Sequence, residues 1–232
     1  MVEVVPEVSN IEPEKTPARK KSARGEETRA KINRATLQII KWDGMRGVRH
    51  RAVAKEAGVP LGATTYHYSN IEDLIVSAFI QWRGDSAQKG NPIVLHIQGF
   101  IKQNAPRLIE TEHGREDLAR EIYKFMVEYE IDQIESRRDD RVIELAFYHE
   151  SLLVDKLRSE VLQYWEDQLE GLIASFSSLQ SPDPVADARI TQSIFHQLER
   201  EAVMKGKDYD RSLLATTLHR HVCHITGVEF TP

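Results

Sequence analysis

The chain has 232 residues and a mass of 26.6 kDa, with 41% hydrophobic and 29% charged residues, a net charge of −5 and one cysteine, Cys223. Such a length suits one large domain or a small module joined to a larger one, and the apolar share suits a buried core. The lone cysteine excludes a disulfide framework, Leu74 to Ile80 is too short for a membrane helix, and the acidic start lacks a signal-peptide core, so a cytoplasmic protein without membrane attachment is expected.

Along the chain the charge is sharply polarised. Residues 1–14 hold four acids and no Lys or Arg, whereas residues 15–55 hold thirteen basic and three acidic residues, a net of +10. The remainder holds eighteen basic and twenty-nine acidic residues, a net of −11. A chain of this kind can set a cationic face against phosphates while the rest stays acidic.

Residues 1–24 are expected to be a disordered tail, with Pro6, Pro13 and Pro17 followed by the basic run Arg19-Lys20-Lys21 and Arg24. From about Thr28, the residues Ile32, Ala35, Ile39 and Ile40 share one helical face, and Gly44 stops that helix. A second helix is predicted from His50 to Ala57, ending at Gly58, and a third from near Pro60 to Tyr68. Ser69 and Glu72 form a predicted capping box before the apolar stretch Leu74 to Trp82. Between Gly114 and Gly171 there is no Gly or Pro. Leu118, Ile122, Phe125, Met126 and Tyr129 make one stripe there, and Leu153, Leu157, Val161, Trp165, Leu169, Leu172 and Phe176 another. Ser181-Pro182-Asp183-Pro184 breaks the chain before two more helices, about 185–205 and 210–226. Nothing alternates like a strand and no repeat is visible. The fold class is all-α.

Function concentrates in Val53-Ala54-Lys55-Glu56-Ala57-Gly58-Val59. Val53 and Ala57 face one core, small Ala54 admits a close neighbour, Gly58 makes the turn and Val59 plugs it. Short helix, glycine turn and short helix is the helix-turn-helix order, although Ala-x-x-x-Gly-Val alone also fits any two packed helices. The +10 segment around it distinguishes the two readings. Residues 28–80 resemble the TetR family of transcriptional regulators: Thr28-Arg29-Ala30-Lys31-Ile32, then Val53-Ala54-x-x-Ala57-Gly58-Val59, then Gly62 to Tyr68, then Glu72-Asp73-Leu74. Three positions depart from the usual pattern. Arg49 replaces a capping Ser or Thr, Thr64 replaces an apolar residue that seats the recognition helix, and Ile71 replaces a phosphate-touching lysine.

On DNA, Arg49, His50 and Arg51 are expected to meet phosphates at the second helix's N-terminus. Leu61, Gly62, Ala63, Thr64 and Thr65 open the recognition helix, where small and apolar side chains suit thymine methyls and Thr suits base edges. Tyr66 and His67 are expected at phosphates and Tyr68 in the core. No Arg, Asn or Gln stands in this helix for a bidentate base contact, so selectivity is expected to lean on DNA shape as well.

The resemblance implies a DNA-binding domain over 25–80 and a helical effector-binding and dimerisation domain over 81–232. It makes the protein a homodimer on a palindromic operator, released by a small, hydrophobic effector. Candidate pocket residues are Tyr123, Phe125, Met126, Glu128, Glu144, Phe147, Tyr148 and Trp165. Candidate dimer residues are Ile190, Ile194 and Leu198 on one helix and Leu214, Leu218 and Val222 on the next, stripes that would equally serve a monomer's core. A metal-responsive regulator is the alternative, since His219, His221, Cys223 and His224 crowd the last helix; a DNA-binding protein without an effector is another. His149-Glu150 lacks a second His four residues after the first, and Walker, Gly-x-Gly-x-x-Gly and Gly-x-Ser-x-Gly motifs are missing, so no enzyme and no cofactor are expected.

Deleting residues 1–24 is expected to weaken DNA binding and flatten its salt dependence, because each phosphate contact adds roughly 0.9 to the log–log slope. An unchanged slope in a salt titration removes the arm from binding.

Overall fold

The computed structural model describes residues 23–89 and 92–232, and the regular elements among them are all helical. The first four α-helices are α1 (Ala23–Asp43), α2 (His50–Ala57), α3 (Leu61–His67) and α4 (Ile71–Lys89). Then come α5 (Pro92–Leu108), α6 (Glu112–Ile131), α7 (Arg138–Ser151), α8 (Asp155–Ser178), α9 (Pro184–Lys205) and α10 (Arg211–Thr226). A five-residue π-turn, Asp132–Ser136, joins α6 to α7. Because α1 begins at Ala23, Arg24 stands in a helix rather than in the expected tail; Arg19, Lys20 and Lys21 lie outside the described residues.

Ile32, Ala35, Ile39 and Ile40 of α1 are all buried, as their spacing requires. Gly58 adopts φ 63° and ψ 34°, the left-handed region that residues with a Cβ resist. Its N–H donates to the Lys55 carbonyl and that of Val59 to the Ala54 carbonyl, so the turn closes α2 and redirects the chain into α3.

Two boundaries differ from expectation. Asn70, not Ser69, caps α4: the Asp73 N–H donates to Asn70 Oδ1 at 2.8 Å, while the Ser69 hydroxyl bonds the Asp73 carboxylate at 2.9 Å. Both residue types cap well, and starting one residue later puts Asp73 rather than Glu72 where it can answer the cap. Likewise α7 stops at Ser151 without Gly or Pro. There the Arg158 guanidinium donates to the Ser151 and Leu152 carbonyls, at 3.1 and 2.9 Å, and stands in for the missing turn residue. Leu153 is consequently exposed in the reversal instead of heading the α8 stripe.

The helices enclose two cores. One joins α1, α2 and α4 to α7 and α8, through Ile32, Ile40, Val53, Leu74, Phe79, Trp82, Ile143, Phe147, Leu157 and Val161. The other lies among α5, α6, α9 and α10, with Ile101, Leu118, Ile122, Met126, Leu198, Leu214, Leu218 and Val222. The first core runs straight through the boundary expected at residue 80, because α4 continues to Lys89 and carries Phe79 and Trp82 into the same cluster as α7. Phe79 and Phe147 meet edge to face with ring centroids 5.1 Å apart. Ion pairs Lys41–Asp139, Asp73–Lys156 (2.9 Å) and Arg83–Glu160 (3.6 Å) join the same helices at the surface.

Phe147 is wholly buried. Phe147→Ala is expected to destabilise the protein by about 3–5 kcal/mol through lost burial and the cavity left behind, measured as a lower urea midpoint at an unchanged slope.

Candidate nucleic-acid interface and ligand cavity

α2 and α3 present a coherent outer surface. Arg51 and Lys55, one turn apart, are exposed on the side of α2 opposite buried Val53 and Ala54, and Arg46 and Arg49 are exposed just before it. None of these four cations forms an ion pair among the described residues. Arg49 occupies the N-cap of α2 without a side-chain cap bond, which leaves the first backbone N–H groups of that helix open. On α3, Leu61, Gly62, Thr65 and Tyr66 are exposed, Tyr66 by 81%, and Ala63 and His67 are half-buried.

Thr64 is a correction. It was expected among the contact residues, but it is fully buried and its hydroxyl donates to the Leu61 carbonyl at 2.8 Å. A hydroxyl bonded within its own helix can replace the apolar residue that seats such a helix, because it leaves no unsatisfied donor. His50 meets solvent only in part, and its Nδ1 is buried without a partner among the described residues. Tyr68 packs inward as expected: its hydroxyl donates to Asn33 Oδ1 at 2.6 Å and lies 3.0 Å from Ser77 Oγ, tying the end of α3 to α1 and α4. Arg46 and Lys55 are exposed beside these residues without having been singled out, although both belong to the +10 segment.

The expected pocket residues do not gather at one place. Glu144, Tyr148 and Trp165 line a cavity of about 500 Å³ between α7, α8 and α9, together with Arg141, Leu145 and Glu199. Phe125 and Met126 line a second, tighter space of about 80 Å³ among α5, α6, α8 and α9. Three candidates drop out. Phe147 points the other way, into the first core; Glu128 is exposed; Tyr123 packs against His219 and Phe230. Residues 144 and 148 are one turn apart and share a face, while 143 and 147 lie about 100° round the helix.

Arg141 is the electrostatic centre of the larger cavity. Its guanidinium lies 2.8 Å from Glu144 and 3.3 Å from Glu199. Burial works against its charge, but the two carboxylates outweigh burial and raise its pKa. Burial pushes Glu199 up to about 7 in spite of Arg141, since that one guanidinium is shared. Glu130 is fully buried, its carboxyl oxygens have no hydrogen-bond partner among the described residues, and burial together with Glu199 raises its pKa far above the ordinary range. Arg141, Glu199 and Glu130 were all missed in the sequence. A signal exists for the acid at 130, which continues the buried line 118, 122, 126 where an apolar residue is normal.

The expected dimer stripes are corrected as well. Leu198, Leu214, Leu218 and Val222 are buried in the protomer's own second core. A helix with one strong apolar stripe commits it to the nearest core, so the outward face is a weaker one. Ile190 and Leu213, each close to 45% exposed, border an open groove of about 470 Å³ with Ile194, Gln197 and Thr217. The crowded histidines of α10 also diverge. His221 Nε2 bonds the Thr191 hydroxyl at 2.8 Å, and burial lowers its pKa to about 4. His219 Nε2 bonds the Phe230 carbonyl at 2.8 Å, and His224 is exposed. Among the described residues no three His, Cys, Asp or Glu side chains are grouped to hold a metal ion.

The arrangement is a short glycine-turned helix pair built onto a larger helical body that holds a cavity. Solved structures share it over most of their length. A transcriptional regulator from Rhodococcus sp. Rha1 is 21% identical, with a TM-score of 0.64, over 88% of this chain and 99% of that one. A member of the TetR family from Streptomyces coelicolor A3 is 23% identical, with a TM-score of 0.57, over 84% and 98%. The multidrug binding protein EbrR in complex with ethidium is 23% identical, with a TM-score of 0.56, over 84% and 98%. The fold is therefore one shared with a member of the TetR family. No family model and no curated protein matches the chain.

Arg141→Ala is expected to destabilise the protein by about 3–5 kcal/mol near neutral pH, because two buried carboxylates lose their counter-charge. The loss shrinks in acid, where Glu199, with its raised pKa of about 7, takes up a proton. Urea titrations of the variant and the parent at both pH values measure it.

Proposed function

We propose that this protein is a homodimeric DNA-binding repressor of the TetR family, released from a palindromic operator by a small molecule. The observation that carries the reading is the α2–Gly58–α3 unit, which places Arg49, Arg51 and Lys55, exposed and without an ion pair among the described residues, beside the open face of α3. Arg46, Arg49, Arg51 and Lys55 neutralise phosphates, and Leu61, Gly62, Ala63, Thr65 and Tyr66 enter the major groove, with His50 and His67 at its edge. The body beyond residue 80 binds the effector, and no described helix is long and apolar enough to cross a membrane, in keeping with a protein that works on DNA in the cytoplasm.

One such unit covers only half a site. Two copies joined through the Ile190, Ile194, Leu213 and Thr217 groove would set recognition helices roughly 34 Å apart. The effector occupies the cavity against Glu144, Tyr148 and Trp165 on α7 and α8. A shift of α7 on binding moves Ile143 and Phe147, hence α1 and α4, and so changes the spacing of the heads. That coupling works only if the ligand binds the released state more tightly. EbrR, of the same fold, is a multidrug binding protein, which supports an effector in this body.

Selection of bound sequences from random duplex DNA by the purified protein is expected to return a near-palindrome. Binding that is salt-sensitive but indifferent to sequence would sink the reading. On the selected site, Arg51→Ala is expected to reduce the log–log salt slope by roughly 0.9. Ile190→Glu is expected to convert the dimer to a monomer in sedimentation and to abolish high-affinity binding, without loss of helix content.

A further inference from the structure

At seven residues, α3 is held by little apolar packing. Val59 before it and Tyr68 after it pack in the first core, but none of Leu61 to His67 does. Thr64, its one buried residue, spends its hydroxyl on the Leu61 carbonyl. Pro60 at its N-cap supplies no side-chain cap bond. The grip that α1 and α4 have on this helix therefore falls to Tyr68, which is 3% exposed. Its hydroxyl belongs to a closed polar cluster with Arg29 and Asn33 of α1 and Ser77 of α4. It donates to Asn33 Oδ1 at 2.6 Å and accepts from Arg29 Nε at 3.2 Å. With that proton committed, the 3.0 Å bond between the Tyr68 and Ser77 hydroxyls takes its proton from Ser77. Ser77 Oγ in turn accepts from Arg29 Nη2 and Asn33 Nδ2, each at 3.1 Å. Asn33 Nδ2 also donates to the Ser77 carbonyl at 3.2 Å, and the Arg29 guanidinium lies 5.8 Å from the centroid of the Tyr68 ring. Both hydroxyl protons and both amide protons thus have an acceptor each, in a single arrangement.

We propose that this cluster is the positioning device of the recognition helix: Tyr68, Asn33, Ser77 and Arg29 fix the rotation of α3 and thereby its selectivity for sequence. The inference rests on the reading of α3 as the helix that enters the major groove. Apolar burial is non-directional and tolerates small rotations, whereas hydrogen bonds weaken steeply off line. Side chains reach about 5–6 Å from a helix axis, so a rotation of about 10° moves their tips by about 1 Å. That displacement breaks a hydrogen bond to a base edge. A long Arg or Lys side chain can follow it and keep its phosphate. Sequence-specific binding therefore depends on the cluster, and sequence-independent binding does not. Apolar side chains of similar shape would hold the three helices together as firmly, but they would not fix the angle.

Two variants of the full-length protein test this. One is Tyr68→Phe, which removes a single hydroxyl. The other combines Asn33→Leu, Tyr68→Phe and Ser77→Ala, which makes the cluster apolar and leaves only half-exposed Arg29, free to reach water. In both, affinity for the DNA site selected by the parent protein is expected to fall roughly tenfold relative to random duplex. Affinity for random duplex itself is expected to stay within roughly twofold. In the DNA-free protein, hydrogen exchange at the amides of residues 63–68 is expected to quicken roughly tenfold while that of α4 holds. The triple variant is expected to keep the parent's urea midpoint, which separates lost positioning from lost stability, and it keeps the test available if Tyr68→Phe fails to fold. A triple variant with the parent's ratio of specific to random binding, or with unchanged exchange in α3, would overturn the proposal. Equal losses on both DNAs would overturn it too, because they report a loss of folded protein. If the parent protein selects no sequence at all, the regulator reading falls by itself, and exchange in α3 still decides whether the cluster holds that helix.

Discussion

Phe147, wholly buried against Phe79 and Trp82, is the contact on which the rest of the molecule turns. It sits on α7, whose neighbouring face carries Glu144 and Tyr148 into the cavity of about 500 Å³ between α7, α8 and α9. A helix packed on one side and lining a cavity on the next has no slack to absorb a displacement. Interiors are packed as densely as organic crystals, so a shift of such a helix must be passed to its neighbours. Here those neighbours are α1 and α4, which hold α2 and α3 in place through Ile32, Ile40, Val53 and Leu74. Lys41–Asp139, at the start of α7, ties the same helix to the end of α1.

The charged cluster around Arg141 has a different logic. Buried ion pairs are poor sources of stability, since desolvating each ion costs several kcal/mol. A fully buried carboxyl without a hydrogen bond, as at Glu130, is held protonated by burial and still contributes nothing to packing that a Leu or Met would not. Such groups persist where they serve something other than stability. Of these groups, Arg141, Glu144 and Glu199 line the cavity walled by Tyr148 and Trp165.

How far the sequence could be read depended on the range of the forces involved. Local determinants were legible: the α1 face from Ile32 to Ile40, the Gly58 turn, the inward Tyr68 and the ends of α9 and α10 all follow from spacing and turn chemistry. Residues whose role depends on what faces them were not. Thr64 shares the short polar character of Thr65, yet only the first is buried. Leu198, Leu214, Leu218 and Val222 have the spacing of an interface and of a core alike, and the presence of α5 and α6 on that side made them core. Asn70 took the cap from Ser69 by one residue, a choice decided by the reach of two side chains.

The amino-acid order alone determined that this chain is helical, where its helices turn, and that a cationic segment accompanies a glycine-turned helix pair, because these depend on periodicity, backbone preference and charge that are written locally. Tertiary structure decided which polar residues meet. Arg141 and Glu199 are fifty-eight positions apart, and Glu130 lies on a third helix, so only packing could bring them within electrostatic reach of one another. It likewise decided that Glu144 and Glu199 share one buried guanidinium beside Tyr148 and Trp165, since the desolvation that gives such sharing its effect exists only after the chain has folded.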